Sequence, residues 1–323
     1  MSASPALPVS YRRAREEDAE RTFEIVHEAS DDLNRRAGRP LDLALPAERV
    51  IRLRHFCVRY DGERFWVAEA GGRMVGAVYA TLRGDAWYLD ALHVVPEFQS
   101  RKIGSELIRR CLAGTTAATA LTVLTGADNP TSNGLYLRFG MLPQDSTLSF
   151  DGPIGARVDR PGSPGAARRP GMDAAPDGAA TLTARPIDLD RDAAALASFD
   201  LATVGFVRPT DHEFWCGVPN LHGRILECDG SARGYAYVSS AGAIGPIAVS
   251  RPGDLVPALE LGAQIAAEAG ASTLHIRNFG SARSAVDWSV RRGLRLSGIG
   301  LMLSSRPVGR FEGYVTSGAD ALY

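Results

Sequence analysis

From Val94 to Leu107 the chain reads V-V-P-E-F-Q-S-R-K-I-G-S-E-L, an apolar strand that breaks at Pro96 into a short loop and then enters a helix. Strand, tight loop and helix in direct succession are a unit of α/β architecture. They also form a site for an anion. The loop and the first helical turn offer consecutive backbone N–H groups without intrahelical partners, and the helix dipole adds partial positive charge where they converge. Gly104 allows a ligand close to the backbone, and Arg101 and Lys102 place cations beside it, so a pyrophosphate fits. Many α/β proteins make the same turn and bind nothing there, so a second signal is needed before a ligand is named.

The 323 residues exceed one ordinary compact α/β unit and fit two of about 150 residues each. A seam from Asp151 to Ala180 is dominated by Gly, Pro, Ala and Arg, with few residues able to bury apolar area against the entropy of ordering. The expected division is therefore a domain at 1–150, a flexible linker at 151–180 and a second domain at 181–323. With 45% apolar and 23% charged residues, neither disorder nor a fibrous architecture is indicated. A formal net charge of −1 leaves no global positive field to gather nucleic acid. No window approaches the roughly 18–20 apolar residues needed to cross a bilayer, and Met1 to Ser10 lacks a signal-peptide core, so a cytoplasmic protein without membrane contact is expected. Cys57, Cys111, Cys216 and Cys228 form no C-x-x-C pair and are expected to be buried free thiols. The six histidines show no ligand spacing, so no metal is expected.

Upstream of the seam, a strand at about Val9 to Arg13 precedes Glu16-Glu17-Asp18, suited to a helix N-terminus, and a helix to about Arg36. A second helix follows Pro46. Strands are expected at Phe65 to Ala70, Met74 to Arg83 and Ala86 to Val95, joined by hairpin turns at Gly71-Gly72 and Gly84-Asp85. A helix from Gly104, a strand at Ala120 to Leu124, a helix at Pro130 to Phe139 and a strand near Ser146 complete the unit. The second half repeats this pattern weakly: Ile225 to Gly230 answers Val67 to Gly72, and Gly234-Tyr235-Ala236-Tyr237 answers Gly76-Ala77-Val78-Tyr79, which points to an internal duplication.

The second signal is the segment Asp128-Asn129-Pro130-Thr131-Ser132-Asn133-Gly134-Leu135-Tyr136-Leu137-Arg138-Phe139-Gly140. Taken with the loop and the preceding strands, it resembles the GNAT superfamily of acyl-CoA-dependent N-acyltransferases over about Val9 to Phe150. The resemblance implies a mixed α/β sheet flanked by helices, and acetyl-CoA or another acyl-CoA as co-substrate. The family's Q/R-x-x-G-x-G/A loop falls on Gln99, Ser100, Arg101, Lys102, Ile103 and Gly104, with Ser105 following. The first glycine is thus Lys102, which costs little if its φ is negative. Asn129, with Ser132 after it, stands where the family contacts the cofactor, and Tyr136 stands where a tyrosine often protonates the leaving thiolate. The backbone of Leu92, His93 and Val94 is where the family's splayed strands hydrogen-bond the pantetheine arm, often at a β-bulge.

The family's catalytic glutamate corresponds to Tyr88, a poor base. Strict alternation puts Tyr88, Asp90, Leu92 and Val94 on one face, which makes Asp90 the candidate base and turns His93 away unless a bulge intervenes. Glu28, Asp31 and Asp32 are candidates to attract a cationic amine. In the second half, Ser250-Arg251-Pro252-Gly253-Asp254 replaces the phosphate loop and Ser289 replaces Tyr136. That half resembles the degenerate C-terminal domains of tandem GNAT proteins. Three functions fit: N-acyl transfer to a small-molecule amine, a non-catalytic acyl-CoA sensor, or the same site used for O-acylation, hydrolysis or decarboxylation. A monomer or homodimer is expected, and the Ala-, Arg- and Gly-rich composition is associated with high-GC bacterial genomes.

Overall fold

The computed structural model describes residues 7–36, 38, 47–155 and 181–317; most of the expected linker, from 156 to 180, lies outside the described residues. The chain divides into two compact units, one holding residues up to 123 together with 134–141, the other holding 124–133 and the described residues from 142 onward.

In the first unit β1 (Val9–Arg13), β2 (Phe65–Ala70), β3 (Arg73–Arg83) and β4 (Ala86–Val94) pair antiparallel in that order, and β4 then pairs parallel with β5 (Ala120–Gly126). Helices α1 (Ala19–Arg36), α2 (Ala47–Asp61) and α3 (Ile103–Cys111) accompany the sheet, and α4 (Pro130–Arg138) straddles the division between units. Gly71 and Gly72 both take positive φ, 57° and 75°, as a two-residue hairpin turn demands. Ile103, Leu107 and Ile108 recur at helical spacing and bury one face of α3, each contributing about 2 kcal/mol. The Trp87 indole on β4 donates to the Cys111 carbonyl at 2.9 Å, which satisfies one of the carbonyls left open at the end of α3. The position of α3 against β4 is therefore set by both apolar and polar contacts.

The second unit holds β6 (Leu142–Pro153), β7 (Thr183–Pro186), α5 (Leu189–Thr203), α6 (Pro209–Cys216), β8 (Leu221–Cys228), β9 (Ser231–Ser239), β10 (Ala243–Val249), α7 (Leu255–Glu268), β11 (Thr273–Phe279), α8 (Arg283–Arg291), β12 (Arg295–Ser304) and β13 (Tyr314–Thr316). From β7 to β12 the order of strands and helices repeats that from β1 to β6. Side chains repeat as well. Arg12 on β1 grips Asp18 (2.7 Å) and Glu69 (2.8 Å), and Arg185 on β7 grips Asp192 (2.8 Å) and Glu227 (2.7 Å). An ion-pair triad reproduced with the same chemistry in two units is the signature of the duplication expected from sequence.

One pairing differs from expectation. The strand near Ser146 forms as β6, but its neighbours are β11 and β12, with Ile276 opposite Phe150 and Ile299 opposite Leu148. Alternation marks a strand's two faces and carries no information on its partners. Three cysteines are buried as expected, whereas Cys216 is exposed at the end of α6. No described helix is long and apolar enough to cross a membrane, and no group of three or more His, Cys, Asp or Glu among the described residues is placed to hold a metal ion.

Candidate active site

The site of interest is where β4 and β5 part. Their parallel pairing runs from Ala86–Ala120 to Leu89–Val123 and stops, while β4 stays paired with β3 through Val94. Between Leu89 and Ala91 the β3 register slips by one residue, so Asp90 is the extra residue of a β-bulge. Beyond it, the backbone of Leu92, His93 and Val94 has lost its β5 neighbour. Val94 is the partial exception, because its carbonyl accepts a hydrogen bond from Gln99 Nε2 at 3.0 Å.

The bulge corrects the face assignment drawn from strict alternation. Leu92 lies opposite Val78 and Ala91 opposite Tyr79, so Leu92 and Val94 share the face that carries α3. Ala91 and His93 share the face of Tyr79, over which Arg54 of α2 is stacked 4.0 Å from the ring centre. His93 therefore shares a face with Tyr88, contrary to the unbroken pattern. The charge of Asp90 acts on Tyr79 and on Cys57 of α2, and with burial it raises both of their pKa values.

The loop between β4 and α3 is shaped for an anion. No side chain caps the N-terminus of α3, so the first-turn N–H groups of Ile103, Gly104 and Ser105 face outward from the helix end. Gln99 fixes the loop to the end of β4, and its Oε1 accepts from Arg36 at 3.2 Å. Arg101 stacks on Phe98, 4.6 Å from the ring centre. A Cβ on Gly104 would meet Leu135 at 3.3 Å and Leu92 at 3.6 Å, so the loop, the strand and α4 converge on this glycine. Ser100 and Lys102 both have positive φ, 63° and 64°. The condition for a cheap lysine is thus not met: Lys102 adopts the glycine conformation, at about 1 kcal/mol. Lys102→Gly is expected to raise stability by about that amount, measured by denaturant unfolding, without weakening acyl-CoA binding.

On α4, Tyr136 is buried at 6% exposure, one residue beyond Leu135. Asn129 caps the helix: its Oδ1 accepts from the Ser132 N–H at 3.2 Å and its carbonyl from the Asn133 N–H at 3.0 Å. Asn129 and Ser132 are thus joined through the cap itself. On α1, Glu28 is held by Arg21 at 2.7 Å and Asp32 by Arg36 at 2.6 Å, which blunts their pull on a cationic amine. Arg54 and the orientation of His93 were not found from sequence. A buried arginine in an apolar helix stripe was the available signal for the first, and the bulge hid the second.

Burial, with Arg54 adding to it, pushes the His93 imidazole down to about 4 from 6.5. Its neutral form is the folded form, so its contribution to stability is intact above pH 6.5 and is lost as pH falls through 4. Over that window the folded chain is expected to lose about 3 kcal/mol, and His93→Gln should flatten the slope in unfolding titrations.

The corresponding place in the second unit is closed. β10 and β11 pair directly only at Ala243–His275 and Ile244–Ile276, and β13 then fills the gap, with Ile247 opposite Val315 on one side and Asn278 opposite Val315 on the other. Tyr314, Val315 and Thr316 are fully buried there, and a Cβ on Gly245 would overlap the Thr316 carbonyl. Asp254 immediately precedes α7, which puts a carboxylate where a phosphate would sit. Ser289 is sealed in the core, donating to the Ala285 carbonyl at 2.9 Å and accepting from Asn278 at 2.9 Å.

Residues 24–141 match the acetyltransferase (GNAT) family. Solved structures of the same fold span almost the whole chain. One is a Pyrococcus horikoshii protein assigned as an acetyltransferase (16% identity, 99% of each chain covered, TM-score 0.69). Another is a GCN5-related N-acetyltransferase from Sphaerobacter thermophilus (16% identity, 94% of this chain and 98% of that one, TM-score 0.60). A third is a tandem GNAT protein from the clavulanic acid biosynthesis pathway (18% identity, 93% and 99%, TM-score 0.57). No curated protein sequence matches the chain. The family match lies almost wholly in the first unit. The fold of the chain is that of the tandem GNAT proteins.

Proposed function

We propose that the first unit transfers an acyl group, acetyl by default, from acyl-CoA to the amine of a small molecule by direct attack in a ternary complex. The observation that carries this reading is the end of β4–β5 pairing at Leu89–Val123, next to the uncapped N-terminus of α3. The first-turn N–H groups and Gly104 receive the pyrophosphate, and the freed β4 backbone receives the pantetheine amides. The amine nitrogen attacks the thioester carbonyl carbon; a β4 N–H steadies the negative charge that develops on the carbonyl oxygen. As the C–S bond breaks, the thiolate takes a proton from the Tyr136 phenol. Asp90, on the bulge, accepts the proton lost by the amine directly or through water, and exchange with solvent restores both groups.

The test is release of CoA thiol from acetyl-CoA with and without amines. Amine-dependent release with an N-acyl product supports transfer. Amine-independent release would mean hydrolysis, and binding without release would mean a sensor.

A further inference from the structure

Arg54 projects from α2 into the core at 3% exposure, and its Nε and Nη1 have no hydrogen-bond partner among the described residues. Leaving a buried cation's donors unpaired is costly, and native proteins seldom do so without a reason. The contrast within this chain is direct. Arg208, fully buried at the start of α6, is paired with Asp200 at 3.0 Å and bonded to the hydroxyls of Tyr235 and of Tyr314 at 3.0 Å. The second unit satisfies its buried arginine completely, and the first does not.

Arg54 lies against the face of β4 that follows the bulge. It stacks on Tyr79, and its charge acts on His93 and Tyr79, the face that β4 presents just past the bulge. Asp90, the bulge residue, contributes a negative charge that acts on Tyr79 and Cys57 and also on Cys111 of α3. Cys57 and Tyr88 are the other titratable groups there, and both are buried.

We infer that the acceptor is an amine that also carries a carboxylate, with Arg54 receiving the carboxylate and Asp90 facing the amine; this rests on the transferase reading above. A monoanionic, planar carboxylate suits a guanidinium with Asp90 nearby. A phosphate dianion would be repelled by that carboxylate.

The test uses the full chain with acetyl-CoA and matched acceptors: free L-amino acids, their methyl esters, their decarboxylated amines, and phosphoethanolamine. Free acids should be used with kcat/KM at least 30-fold above their esters and amines. Arg54→Met should raise KM for the acids by a similar factor, with little change in kcat, in KM for the esters or in acetyl-CoA affinity. Arg54→Lys should recover part of the loss. Because Arg54→Met removes a buried charge two of whose nitrogens have no partner, its melting temperature in the absence of acceptor should hold or rise, whereas a purely structural arginine would lower it. Equal use of acids and esters, preference for phosphoethanolamine, transfer to none of the acids, or an unchanged KM in Arg54→Met would each overturn the inference while leaving acetyl-CoA binding in place. Failure of the wild-type chain to bind acetyl-CoA would instead remove the transferase reading on which it stands.

Discussion

Tyr136→Phe is expected to lower kcat by roughly 10²- to 10⁴-fold, the range for loss of a positioned general acid, and to leave acetyl-CoA affinity unchanged. The substitution removes one oxygen from a side chain that is 6% exposed, and the ring keeps its packing. The cost to stability is bounded by one hydrogen bond, about 1 kcal/mol. A phenol near pKa 10 needs no prior ionisation to protonate a thiolate. The loss should therefore shrink with acyl donors whose leaving thiol is more acidic, since those depart without help. A fall in kcat independent of the leaving group would assign Tyr136 to packing.

Gly104→Asp should weaken acetyl-CoA binding a hundredfold or more, because like charges brought together at a binding site cost several kcal/mol. Sterics contribute little: the nearest atoms to an added Cβ are the Leu135 and Leu92 methyls at 3.3 and 3.6 Å. Gly104→Ala should accordingly bind within a few-fold of the parent. An acid in the first turn of α3 also favours the helix dipole, so the aspartate variant should fold at least as well.

Local features of this fold were legible because their causes are local. The Gly-Gly turn and the strand-to-helix break at Pro96 both lie within a few residues of what they determine. The candidate site residues were named by the same route, through a loop and a helix of fixed spacing. What sequence hid is non-local. The partners of β6 depend on strands more than a hundred residues away, and β13 plugs the second unit through a slot that exists only once β10 and β11 have parted. The bulge at Asp90 is one residue of slippage against β3, yet it exchanges the faces of everything after it and puts His93 on the face of Tyr79, over which Arg54 stacks. The φ of Lys102 was equally out of reach, since lysine gives no hint of a left-handed conformation.

The proposed function places one acyl-CoA site in each chain, in the first unit. Calorimetric titration of the full-length protein with acetyl-CoA tests it most directly. One site per chain, lost in Gly104→Asp and kept when Ser250 is changed, is the predicted result; no binding, or two sites, would contradict it.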